Sequence, residues 1–198
     1  MHDPARRRTI YARAGLAVIA GLFAAPATVS AQVPLPVPLP STPSISLPLA
    51  VPAAQPCAGA QRRSGARARR FAIGCLVNRA RTSHGLRGFA WNRSLARAAS
   101  RHARDMSRRR YFAHQRSGGP SLGRRARAAG FRGRNVGEAI AYGCGSFSTP
   151  ASIVRAWLAS PGHRAILLSR RSRVGVGVSG RPPTNCGGRG ATYVLDAG

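Results

Sequence analysis

Lysine is absent from this 198-residue chain, and only Asp3, Asp105, Glu138 and Asp196 carry carboxylates against its arginines. With four acids and five histidines in all, few residues can do acid–base or metal chemistry. The single Gly-x-Ser-x-Gly spacing, Gly119-Pro120-Ser121-Leu122-Gly123, follows no strand-like run, and nothing else marks a serine nucleophile. No Cys-x-x-Cys pair occurs, which argues against a zinc ribbon and a thioredoxin-type redox site. No stretch outside the N-terminus is apolar enough to cross a bilayer, which takes about 20 residues.

What is present is charge of one sign. All 32 cationic residues are arginine, and the formal net charge is +28. A charge of that size attracts polyanions such as acidic envelope polymers, anionic lipid head groups and nucleic acid. The competing reading is a coding bias that places arginine at ordinary solvated positions. Under either reading, anions including nucleic acid bind non-specifically at low salt and are released as salt rises.

The N-terminus has the pattern of an export signal. Arg6, Arg7, Arg8 and Arg13 precede an apolar run of twelve residues at 14–25, and Val29-Ser30-Ala31 offers small residues for cleavage. A signal peptide is therefore expected at 1–31, with an uncleaved anchor as the alternative; after cleavage no membrane span remains. Residues 33–56 then contain eight prolines in twenty-four positions. Proline fixes φ and lacks a donor, so an extended spacer is expected at 32–56. The remaining 57–198 are expected to form one domain. Its four cysteines, Cys57, Cys75, Cys144 and Cys186, favour two disulfides in an exported chain, and three connectivities are open. We expect Cys57–Cys75, which would pin the N-terminal edge, and Cys144–Cys186, which would tie a central loop to the C-terminal strands.

Periodicity and caps place the elements. Phe71, Ile73, Cys75, Leu76 and Val77 have helical spacing with a stop at Gly85. Asn92 caps a helix whose inner face is Leu95, Ala98, Ala99, His102 and Met106. Ser121 starts a short helix ending at Gly130. Thr149-Pro150 opens a fourth, with Ile153, Val154 and Trp157 inward, broken at Ser160-Pro161-Gly162. A short helical turn follows through Ile166 and Leu167. Residues 173–178 alternate with period two and 191–195 are β-prone, so a hairpin closes the chain; 135–142 are expected as a further strand. Helices first and a hairpin last imply an α+β domain with helices on an antiparallel sheet.

Three residues stand out for chemistry. His114 follows Tyr111-Phe112-Ala113 in a loop, Glu138 stands in a glycine-bounded apolar segment, and His163 follows a helix break. Together they would suit a first-row metal, zinc above all, or form a hydrogen-bonded polar cluster. Their spacing does not decide between the two. His102 reads as a buried structural histidine, and His84 as a charge at a helix C-terminus.

Read in order, Cys75-Leu-Val-Asn78-Arg79, 86–91, 95–106, Tyr111-Phe-Ala-His114, Gly137-Glu138, Trp157 and Ser160-Pro-Gly-His163-Arg164 resemble the CAP superfamily. That superfamily comprises cysteine-rich secretory, antigen-five and pathogenesis-related proteins with secreted bacterial members. The resemblance implies a three-layer α-β-α sandwich with a central antiparallel sheet and a cleft. There, His114, Glu138 and His163 would take the places of two histidines and an acid that can hold a divalent metal such as zinc or calcium. The family's second acid is missing, because Leu158-Ala159-Ser160 follows Trp157, and Ala139 stands where Asn is usual.

The resulting expectation is a secreted or envelope-associated binding module whose His/Glu cleft engages an envelope polymer, lipid or other anionic ligand. The alternatives are a metal-assisted hydrolase with Glu138 as base, and a basic polyanion binder acting outside the cleft.

Overall fold

Side-chain caps open three of the five α-helices among the described residues. The computed structural model describes residues 57–62 and 65–198, so the expected leader at 1–31 and spacer at 32–56 lie outside the described residues. Helix α1 (Ala66–Ser83) ends as His84 and the left-handed Gly85 turn the chain back. In α2 (Arg93–Arg109) the Asn92 side chain accepts from the Leu95 N–H. In α3 (Leu122–Ala128) Ser121 accepts from the Arg124 N–H, and in α4 (Pro150–Ala159) Thr149 accepts from Ser152. Each such bond satisfies a donor the first helical turn cannot. Ser160 ends α4 and Pro161 at once opens α5 (Pro161–Leu167), a complete short helix where a single turn was expected.

The four strands are β1 (Ala90–Trp91), β2 (Gly137–Cys144), β3 (Arg173–Ser179) and β4 (Gly190–Ala197), ordered β1-β3-β4-β2. The β3–β4 hairpin is antiparallel, and β2 pairs antiparallel with β4 on its other side. The expected antiparallel sheet thus gains one unforeseen edge strand, β1, which runs parallel to β3.

Period two sorts β3 and β4 between two helical layers. Val174, Val176 and Val178 join Ala191, Tyr193, Leu195 and Ala197 in a core with Ile73 and Val77 of α1, Ile153, Val154 and Trp157 of α4, and Leu167 of α5. Trp157 is fully buried, and its indole N–H donates to the Ile140 carbonyl at 3.1 Å. The opposite face carries Ile140 and Val194 against Ala99, Ala103 and Met106 of α2. Beyond them Leu95, Ala126 and Phe131 lock α3 onto α2. The result is an α-β-α sandwich.

Gly175 and Gly177 face α2, where an added Cβ would overlap the helix backbone at Leu95–Ala96 and at Ala99. The missing side chains let the helix settle directly on the sheet.

Phe71, one of the residues with helical spacing, faces outward from α1. It is 58% exposed and stacks on Trp91 at a centroid distance of 6.0 Å, while Ala72, Ile73 and Val77 point inward. Arg81 is the buried residue that closes this layer. Its guanidinium donates to the carbonyls of Arg87, Leu167, Ser169 and Arg171 and lies over the Phe89 ring. One side chain thereby ties the end of α1 to the segment that leads into β3.

The cysteines pair as Cys57–Cys75 and Cys144–Cys186. The first anchors the start of the domain to α1, and the second ties the end of β2 to the loop between β3 and β4. Among the described residues, no helix is long and apolar enough to cross a membrane.

Candidate functional site

The site forms where the loop after α2 meets the start of β2. Arg110 adopts a left-handed conformation (φ 53°) that ends α2 and turns the chain so that its N–H bonds the Met106 carbonyl. The loop is then held from α3: Arg125 donates to the carbonyls of His114 at 2.8 Å and Pro120 at 3.1 Å. Gln115 donates to the Gly119 carbonyl.

Glu138 is the centre of the cluster, 3% exposed and on the β2 face that looks toward α2. His114 Nδ1 lies 2.9 Å from Glu138 Oε1, and an Arg125 amino nitrogen donates to Oε2 at 2.6 Å. His102 Nε2 stands 3.8 Å from Oε2 and hydrogen-bonds the Ala113 carbonyl at 3.1 Å. Because a carboxylate only accepts, His114 donates from Nδ1, which leaves its Nε2 for another partner.

These contacts set the charges. Burial pushes the Glu138 carboxyl up, but the His114 hydrogen bond and the charges of Arg125 and His102 outweigh it and hold the group below its usual range. The same bond to Glu138 raises the His114 imidazole. Burial lowers His102 despite the nearby Glu138. His163, in the first turn of α5, is lowered by burial and then by the charge of His114.

His114 and Glu138 are therefore brought into direct contact. His163 is near enough to feel His114, with no hydrogen bond or ion pair to either residue among the described ones.

Two members of the cluster carry no mark in the sequence reading. Arg125 is one arginine among 32. Asp196 lies on β4 directly opposite Glu138, fully buried, with neither oxygen finding a hydrogen-bond partner among the described residues. Burial, and then the charge of Glu138, raise it well above the ordinary aspartate range. An acid in phase with Thr192 and Val194 in an otherwise apolar strand was the signal that could have found it. His102 is buried as expected, but it also borders Glu138.

As arranged, these residues do not fit a divalent cation. Both Glu138 oxygens are taken, one by a guanidinium that places positive charge where a metal would bind. Among the described residues no three His, Cys, Asp or Glu side chains are grouped to hold an ion.

At the same end of the loop, Phe112 packs edge-on against Tyr142 at 4.9 Å, both partly exposed. Phe112 is two residues before His114, and Tyr142 shares a strand face with Glu138. The cluster thus offers an imidazole that is 58% exposed, held by a buried carboxylate, with an aromatic pair nearby.

The family model for the cysteine-rich secretory protein family, CAP, matches residues 76–194. The uncharacterized protein YkwD of Bacillus subtilis (strain 168) is 32% identical over 103 residues, covering 52% of this chain and 39% of that protein. The crystal structure of an extracellular protein containing an SCP domain from Bacillus anthracis aligns with a TM-score of 0.58 and 28% identity, over 67% of this chain and 40% of that one. An outer surface protein of Borrelia burgdorferi shares the fold at a TM-score of 0.53 and 18% identity, covering 63% of this chain and 88% of its own. The chain thus spans well under half the length of YkwD and of the Bacillus anthracis protein. With the α-β-α sandwich and a family match running from α1 through β4, this chain belongs to the cysteine-rich secretory protein (CAP) family.

Proposed function

We propose that this protein is an exported CAP-domain module that binds an extracellular or cell-envelope ligand, a polymer, lipid or other anionic compound, at His114. One observation carries this reading: Glu138 is engaged on both oxygens by His114 and Arg125, so the acid orients the imidazole. A metal-assisted hydrolase would instead need Glu138 available as a base beside a bound cation. A half-exposed imidazole with a raised pKa beside the Phe112–Tyr142 pair suits recognition of a partly anionic, partly apolar surface. Export is supported by the leader pattern, the two disulfides and the extracellular Bacillus anthracis relative.

The test is co-sedimentation with insoluble cell-wall preparations and with anionic vesicles, at low salt and at about 0.5 M salt, where surface charge is screened. We expect binding that persists at high salt and is lost in His114→Ala and in Phe112→Ala. Binding that vanishes with salt and ignores both substitutions would sink the cleft reading. Calorimetric titration of Zn²⁺ and Ca²⁺ should show no stoichiometric site beyond that of His114→Ala/His163→Ala. Tight binding lost in that double variant would make the cleft a metal centre instead.

A further inference from the structure

Arg125 forms a wall between the cleft and a second hollow, of about 770 Å³, enclosed by α2, the loop after it and α3. Arg125 and His102 line its inner part, and both also border Glu138. Around its mouth stand Arg101 from α2, Arg116 from the loop, and Arg124 and Arg127 from α3, all exposed. Among the described residues none of these four has a carboxylate partner. Asp105, which also lines the hollow, is already engaged by Arg109 at 2.8 Å and by the Tyr111 hydroxyl at 2.6 Å.

Four guanidiniums without an ion pair stand around one concavity, only Arg116 among them feeling the charge of Asp105; they repel one another, and an anion seated among them relieves that repulsion. They approach from three separate segments, so their donors converge from several directions. A planar carboxylate presents two oxygens in one plane. A tetrahedral phosphate presents three or more and carries more charge, which matches forked donors arriving from α2, α3 and the loop together. Ala98, Pro120 and Ala128 supply apolar wall between the charges and reduce competition from water. The volume falls within the range of about 300–1,000 Å³ usual for small-molecule sites. At the inner end the Arg125 Nε is buried without an acceptor, so this guanidinium has a donor still unused.

We propose that the hollow between α2 and α3 binds a phosphate-bearing ligand, held by Arg101, Arg116, Arg124 and Arg127. The site is separate from the His114 cleft and does not depend on that cleft's ligand.

The experiment titrates inorganic pyrophosphate calorimetrically into the protein, into Arg101→Gln/Arg124→Gln/Arg127→Gln, and into Arg79→Gln/Arg87→Gln/Arg155→Gln. The second triple variant removes the same charge from exposed positions outside the hollow. All six side chains are exposed, and circular dichroism verifies that each variant keeps its fold. One pyrophosphate per chain is expected, weakened roughly tenfold or more in the first variant and only slightly in the second. A parallel arm measures sedimentation with phosphatidylglycerol and phosphatidylcholine vesicles. Selective loss of phosphatidylglycerol binding in the first variant assigns the phosphate to a lipid headgroup. A selective effect on pyrophosphate alone assigns it to a soluble phosphoester. Equal losses in the two variants in both arms, or no binding in either, would overturn the proposal, because the arginines would then act only as diffuse surface charge.

Discussion

Asp196 and Glu138 face each other across the β2–β4 pair, yet they resolve their burial in opposite ways. Glu138 keeps its charge because His114 and Arg125 hold both oxygens; Asp196 has no such partner and favours its proton. The consequences for stability have opposite signs. Glu138, held below its unfolded pKa, adds stability above about pH 4.3, and this is lost as pH falls through its folded value. Asp196, held above its unfolded pKa, costs stability progressively as pH rises from about 3.9 toward its folded value. Asp196→Asn should therefore raise the urea midpoint at pH 7, and the gain should vanish near pH 3, where the wild-type carboxyl is protonated in both states. An equal gain at both pH values would mean that the charge is not responsible. The contact between His114 and Glu138 joins two residues that each stand in a distinctive local setting in the sequence, whereas His163 meets neither of them in a hydrogen bond or ion pair among the described residues. Arg125 was not legible in the sequence, since one arginine among 32 is singled out only when α3 docks against α2.

At the scale of elements, local chemistry was a good guide wherever a side chain caps a backbone. Asn92, Ser121 and Thr149 each open the helix their sequence context implied. Residues whose partners lie far away in sequence were harder to read. Strand β1 is two residues long and owes its existence to β3, some eighty positions later. Phe71 has the spacing of a core residue but turns outward to Trp91, because Ile73 and Val77 fill the space against β3 and α4. The alternation in β3 was visible as a strand signal, while the reason for its glycines was not. Gly177→Ala drives a methyl group into the backbone of α2 at Ala99, where no flexible side chain can yield. The expected cost is about 3 kcal/mol or more, read as a lowered midpoint in chemical denaturation. A loss well below 1 kcal/mol would show that α2 can lift off the sheet at little cost.

For the whole molecule, the two disulfides join parts that a domain of this size could otherwise let fray. Cys57–Cys75 spans 18 residues and Cys144–Cys186 spans 42. Closing such loops in the unfolded chain stabilises the folded one by about 3 kcal/mol for the shorter and about 4 for the longer. Cys144→Ser/Cys186→Ser should accordingly lower the melting temperature more than Cys57→Ser/Cys75→Ser, as followed by circular dichroism. The reverse order would show that the N-terminal staple guards the first region to open. The sequence by itself determined the class of this protein: capped helices, a closing β-hairpin, an even set of cysteines and the ordered family segments are all local patterns. Only the tertiary structure decided which side chains meet at the candidate site. Whether Glu138 meets a metal or a guanidinium, and whether Asp196 carries a charge, depends on which side chains from α2, α3, β2 and β4 share a space of a few ångströms. Spacing along the chain carries no record of that proximity.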